Sequence, residues 1–254
     1  IGCALLVGGK SALRSLAGMA LSLFLIFAVM LPRFLAGDPP LLVALIGGFI
    51  IMSLTFLITH GWGPKSMSAL LGTTMSLLLT GLLAVLFAQW ARLFGLGEEN
   101  AVFLLNNYPD IDTRGLLLAG IIIGALGTLD DVTIAQSSAV FELKAANPAM
   151  TAKHLYASAI RIGRDHIAGA INTLVLAYAG AALPLLLLLA SNSSREPWLL
   201  LISRETFATE IVRTIVGSLG LLAAVPFTTF VASWMAMRMP ASALRRNAHA
   251  HHHH

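Results

Sequence analysis

Six apolar runs, at about 15 to 36, 40 to 60, 67 to 91, 115 to 141, 166 to 190 and 207 to 238, restrict this chain more than any other feature of its sequence. Each is close to or above the roughly 20 residues that a helix needs to cross about 30 Å of hydrocarbon. Backbone polar groups at that depth must be satisfied within a helix or a closed barrel, and the ten-residue alternation of a barrel strand is not seen. The expected fold is therefore all-α, a polytopic transmembrane helix bundle with the lipid bilayer as its first partner. A mean hydropathy of +0.83 and a charged fraction of 11% agree with this reading and lie well away from soluble domains. Residues 1 to 247 read as one transmembrane domain. Residues 1 to 9, IGCALLVGG, resemble the end of a truncated span, and the histidine-rich 248 to 254 an expression tag.

Loop charges give an orientation. Lys10 and Arg14, His60 and Lys65, the group Lys144, Lys153, Arg161 and Arg164, and the group Arg238, Arg245 and Arg246 fall on one side of the six spans. Asp38, then Glu98, Glu99, Asp110 and Asp112, then Glu196 and Glu205 fall on the other. The basic side is expected in the cytoplasm, which puts the C-terminus there in a multi-pass protein of the cell membrane. Between the fourth and fifth spans, NPAMTAKHLYASAIRIGRD suggests a short amphipathic cytoplasmic helix, capped by Asn147 with Pro148 at its first position. The basic residues lie scattered in short loops, so topology accounts for them and no nucleic-acid partner is expected.

Two spans carry polar residues at membrane depth. In the fourth, GALGTLDDVTIAQSS (124 to 138) holds Asp130, Asp131, Thr133 and Gln136. Adjacent residues on a helix point about 100° apart, so this segment has polar groups around most of its circumference. A carboxylate near the bilayer centre costs about 3 kcal/mol on insertion scales, so the pair is expected to be shielded by protein or to line water. In the fifth span Asp165, His166, Gly169, Asn172 and Thr173 form one stripe, with Ile167, Ile171 and Leu174 opposite. An ion- or substrate-binding site is expected in the cytoplasmic half, between the fourth and fifth spans, from Asp130, Asp131, Thr133, Gln136, Asp165, His166, Asn172 and Thr173. Arg161 and Arg164 are its candidate ion-pair partners.

The chemistry these residues exclude is as informative. Cys3 is the one cysteine, which rules out an internal disulfide and a thiolate zinc cluster. HExxH and GxSxG are missing, and GGKS at 8 to 11 lacks the first glycine of a phosphate loop. No cofactor, metal site or catalytic residue is therefore expected. Oxygen ligands without paired His or Cys suit a proton, Na+ or a hard divalent ion.

The stretches GALGTLDDVTIAQSSAVFEL (124 to 143), RIGRDHIAGAINTLVLAYAGAALPLLLL (161 to 188) and EIVRTIVGSLGLLAAVPFTTFVA (210 to 232) resemble the YibE/F-like family of bacterial polytopic membrane proteins. The double acid is similar to actinobacterial members; many relatives carry MD where Leu129, Asp130 and Asp131 stand, which favours Asp131 as the more important carboxylate. The resemblance implies a transport-type membrane protein with an extracytoplasmic segment preceding its spans. The leading functional expectation is a cation- or proton-linked permease. Its alternatives are a membrane scaffold for an extracytoplasmic domain, with the acids satisfied by Arg161 or Arg164, and an intramembrane aspartyl hydrolase that pairs Asp131 with Asp165.

Overall fold

The computed structural model describes residues 2–97, 99–191 and 196–240, and Arg245, Arg246 and the segment 248–254 lie outside them. Among the described residues the regular elements are all helical. They are α1 (Gly2–Leu25), a π-helical turn (Ile26–Met30), α2 (Leu31–Leu35), α3 (Pro40–His60), α4 (Pro64–Trp90) and α5 (Glu99–Asn107). They continue with α6 (Thr113–Ala146), α7 (Ala152–Ala181), α8 (Leu183–Ser191), α9 (Trp198–Ile202) and α10 (Glu205–Met237). Five helices are long and apolar enough to cross a bilayer: Ala12–Leu35, α3, α4, α6 and α10. A sixth results if α7 and α8, which meet at 69°, form one broken span. The regular structure of the described residues is thus all helical, and the chain is a multi-pass membrane protein.

Local chemistry sets the helix ends. Pro40 and Pro64 stand in the first turns of α3 and α4, where a missing N–H costs nothing because that donor has no partner in the helix. Asp112 caps α6 by accepting from Gly115 N at 2.9 Å. At the other end of α6, the buried Lys144 donates through Nζ to the carbonyls of Pro148 and Met150, both at 2.8 Å. That contact fixes the 147–151 turn. The separate amphipathic helix expected after Pro148 is not formed. Asn147 instead ends α6, and Thr151 opens α7, its hydroxyl accepting from His154 N at 3.4 Å. α7 then runs unbroken to Ala181, so the amphipathic segment is its first three turns.

α4, α6 and α10 pack mutually at the centre, with α3 and α7 flanking them and α1 lying against α3. Small residues let the central helices approach. A Cβ on Gly72 would come within 2.8 Å of Thr228 Cα, and one on Gly220 would overlap the Thr80 hydroxyl. These two contacts, 8 residues apart on each helix, show α4 and α10 running antiparallel at close range. Large apolar side chains turn outward, among them Phe27, Leu78, Leu82 and Phe230, as a lipid-facing surface requires. All four tryptophans are exposed. Trp62 and Trp234 lie at the end that carries Lys65 and Lys144, and Trp90 and Trp198 at the opposite end. Two such belts are the arrangement expected at the two interfaces of a bilayer.

Candidate functional site

The polar residues of the fourth apolar run are divided by the rotation of α6. Asp130, near the midpoint of this 34-residue helix, is half-buried, and its Oδ1 is closed off without a hydrogen-bond partner among the described residues. Asp131 is exposed on the chain's own surface, on the side that also carries Gly120, Gly124, Gly127 and Ala135. Of the two arrangements expected for the pair, shielding by protein is seen at Asp130, and Asp131 is left open to whatever surrounds the chain. The difference follows from the angle of about 100° between neighbours: once Leu129 and Val132 are in the core, Asp131 must point away.

Thr133 and Gln136 are buried and hydrogen-bonded to neighbouring helices. Thr133 Oγ1 lies 2.6 Å from Thr73 Oγ1 of α4, and Gln136 Nε2 donates to Ala159 O of α7 at 2.9 Å and to Thr229 Oγ1 of α10 at 2.7 Å. One turn further on, Ser137 meets Ser68 at 2.7 Å, and at the helix end Lys65 pairs with Glu142 at 2.8 Å. These contacts form a ladder joining α6 to α4, and Gln136 ties α6 to α7 and α10. In hydrocarbon such bonds are worth on the order of 1 kcal/mol each. They join the helices to one another, and the ladder's α4 half was invisible because it depends on how α4 is rotated.

α7 presents the reverse of the expected face. Ile167 and Leu174 are buried and Ile171 packs on the core, whereas Asp165, His166, Gly169, Asn172 and Thr173 are exposed. Thr173 Oγ1 donates to Gly169 O at 3.0 Å within its own helix. No hydrogen bond or ion pair joins Asp165 or His166 to Asp130 among the described residues. Arg161 donates to Ser158 Oγ at 3.2 Å, and neither it nor Arg164 makes an ion pair among the described residues. The expected pairing of the acids with these arginines is thus not formed. Nor do three of His, Cys, Asp and Glu come together there as a metal ion would need.

A cavity of about 520 Å3 opens at the Trp90 end, between α5, the starts of α6 and α10, and the break where α7 gives way to α8. Its wall includes Asn100, Thr206, Thr209, Glu210 and Arg213. Arg213 Nη2 stands 3.5 Å from Glu210 Oε1, and Arg213 Nε is enclosed without a partner among the described residues. One turn along α10, Gly217 receives the ring of Tyr178, whose hydroxyl is also buried and unpartnered. The rim is built firmly. Glu205 accepts from the backbone N–H groups of Phe94, Gly95 and Leu96 at 2.5–3.1 Å, while Thr113 and Thr206 donate to Phe94 O and Gly97 O at 2.8 and 2.7 Å. In the sequence, Glu210 and Arg213 stand three apart, the spacing of an ordinary ion pair on a helix surface. The missed signals were Gly95 and Gly97 beside Leu96, where a Cβ would strike Thr113 O and Thr206 N, and Pro184, which starts a new helix.

Neither the curated proteins nor the solved structures give a match to this chain. The family model described as YibE/F-like protein matches residues 1–238, which span every helix of the bundle, the Asp130 segment and the cavity wall. The chain belongs to the YibE/F-like protein family.

Proposed function

We propose that this protein is a membrane permease, linked to a cation or to protons, with its basic end and C-terminus in the cytoplasm of a cell whose surface membrane it spans. The observation that carries the reading is Asp130, a carboxylate at the middle of a membrane-length helix with one oxygen enclosed and unpartnered. Ionisable groups at this depth are costly, and they are kept where an ion or a proton moves. Asp131 and the exposed Asp165, His166, Asn172 and Thr173 extend a polar surface along α6 and α7, over which water or a small cation can approach Asp130 from the cytoplasmic half. Thr133 and Gln136 hold the helices that frame this path. A broken helix with a cavity beside it, as at Ala182, is a recurrent feature of transporters.

The scaffold reading needs the acids neutralised by Arg161 or Arg164, and those ion pairs are not formed among the described residues. The hydrolase reading needs Asp131 and Asp165 facing one another, and both lie on exposed faces of separate helices. Flux decides between these readings. Proteoliposomes containing the wild-type chain should dissipate an imposed proton or Na+ gradient. Asp130→Asn should reduce the rate at least about tenfold, a barrier change of about 1.4 kcal/mol, and Asp131→Asn should reduce it less. Equal rates in wild type and Asp130→Asn would remove the proposed role.

A further inference from the structure

The cavity at the Trp90 end takes no part in the path to Asp130. Its volume of about 520 Å3 lies within the range of small-molecule sites, and its rim is fixed by the three amide contacts of Glu205. Among the described lining residues the charged ones are Glu210 and Arg213, so the lining is neutral overall but polarised. Their separation of 3.5 Å is long for an ion pair. It leaves Arg213 Nε with an unmade bond and gives the Glu210 carboxylate no other side-chain partner among the described residues.

A free anion entering here would satisfy Arg213 and leave Glu210 facing a second negative charge. A free cation would do the opposite. A ligand that carries both charges a few ångströms apart completes both groups at once, and Leu116, Leu117 and Leu185 offer an apolar wall to the rest of it. We propose that the cavity binds a small zwitterion with its carboxylate and ammonium on one carbon, as in an α-amino acid. The carboxylate sits on Arg213, the ammonium on Glu210 and the substituent against the leucines. This names the substrate class of the permease and rests on that reading for its purpose. Its test is binding alone, so a chain that binds the zwitterion yet moves nothing sustains this site and overturns the transport reading.

The experiment measures thermal unfolding of the purified full chain in detergent with glycine, L-alanine, L-leucine and L-phenylalanine. 4-Methylpentanoate and 3-methylbutylamine, which keep leucine's side chain with one charge each, are the controls. At least one of the four zwitterions should raise Tm by about 2–6 °C near saturation, and leucine's single-charge analogues should bind more weakly than leucine. Arg213→Gln and Glu210→Gln should each weaken binding about tenfold or more. Because those changes alter a charge pair, Gly120→Leu is the second variant. Gly120 lines the cavity, and a Cβ there meets nothing within 4 Å, so a leucine side chain starts in open space and should abolish the shift while leaving the ligand-free Tm near wild type. No shift with any of the four, equal binding of leucine's acid or amine analogue, or an undiminished shift in Gly120→Leu would overturn the proposal.

Discussion

Glu205 shows how much one side chain can organise in this protein. It stands in the first turn of α10, and its Oε1 accepts from three successive amides, Phe94, Gly95 and Leu96, more than a hundred residues earlier in the chain. Charge-assisted bonds of this kind are the stronger ones, and each orphaned amide costs about 1–3 kcal/mol where water cannot replace the acceptor. Two of the three amides belong to exposed residues, so the expected loss lies at the low end. Glu205→Ala should lower Tm by about 3–8 °C, at about 2–4 °C per kcal/mol, and thermal unfolding of the purified chain reads it. An unchanged Tm would mean that the 93–97 loop holds itself. The sequence displayed Glu205 only as one more acid on the acidic side, because its partners are backbone groups that no residue pattern marks. Thr133 and Gln136 were legible as polar residues in an apolar helix. Their partners Thr73 and Thr229 were not, since each sits on a helix whose rotation is set elsewhere.

At the scale of elements, α4 and α10 depend on small residues at facing positions. Gly72→Leu and Gly220→Leu drive side chains into Thr228 and Thr80, and overpacking of this kind costs about 1–3 kcal/mol or more. Both variants should elute aggregated or unfold at least about 3 °C lower. Size-exclusion profiles and melting curves check this, and a Tm equal to wild type in both would show that the helices are not as close as described. α7 teaches the opposite lesson. Its polar and apolar stripes were both visible in the sequence, but the side facing the bundle could not be read. In water an apolar stripe must be buried, whereas lipid chains are as apolar as leucine, so periodicity alone does not distinguish inside from outside. The choice is made by contacts such as Gly163 against Gln136 and Val225, and Leu174 against Gly217, which require all three helices at once. The break at Ala182 was foreshadowed only by Pro184, which a transmembrane helix can also absorb as a kink.

For the molecule as a whole, five of the six apolar runs lie, among the described residues, in helices long and apolar enough to cross a bilayer, because bilayer thickness leaves little freedom in span length. The tryptophan belts add an independent frame. With Trp62 and Trp234 towards one end of the bundle and Trp90 and Trp198 towards the other, Asp130 lies between the two along α6, and the cavity with its Arg213–Glu210 pair lies towards the Trp90 end. The two polar regions therefore lie at different depths along α6, α7 and α10. Tyr178 and the exposed stripe from Gly120 to Asp131 stand between them. In the transport reading proposed above, one region holds the solute and the other the ion.

The proposed transport requires that a proton or cation reach Asp130 at bilayer depth, and dicyclohexylcarbodiimide tests this most directly, since the reagent enters from lipid and couples to a protonated carboxyl. With the full chain in proteoliposomes, peptide mass spectrometry should find the adduct on Asp130. Its rate of formation should fall at least about tenfold on raising the pH or adding Na+, since loss of the proton removes the reactive acid and a bound cation takes the proton's place. An Asp130 that never reacts, or that reacts at a rate indifferent to both pH and Na+, would contradict the account.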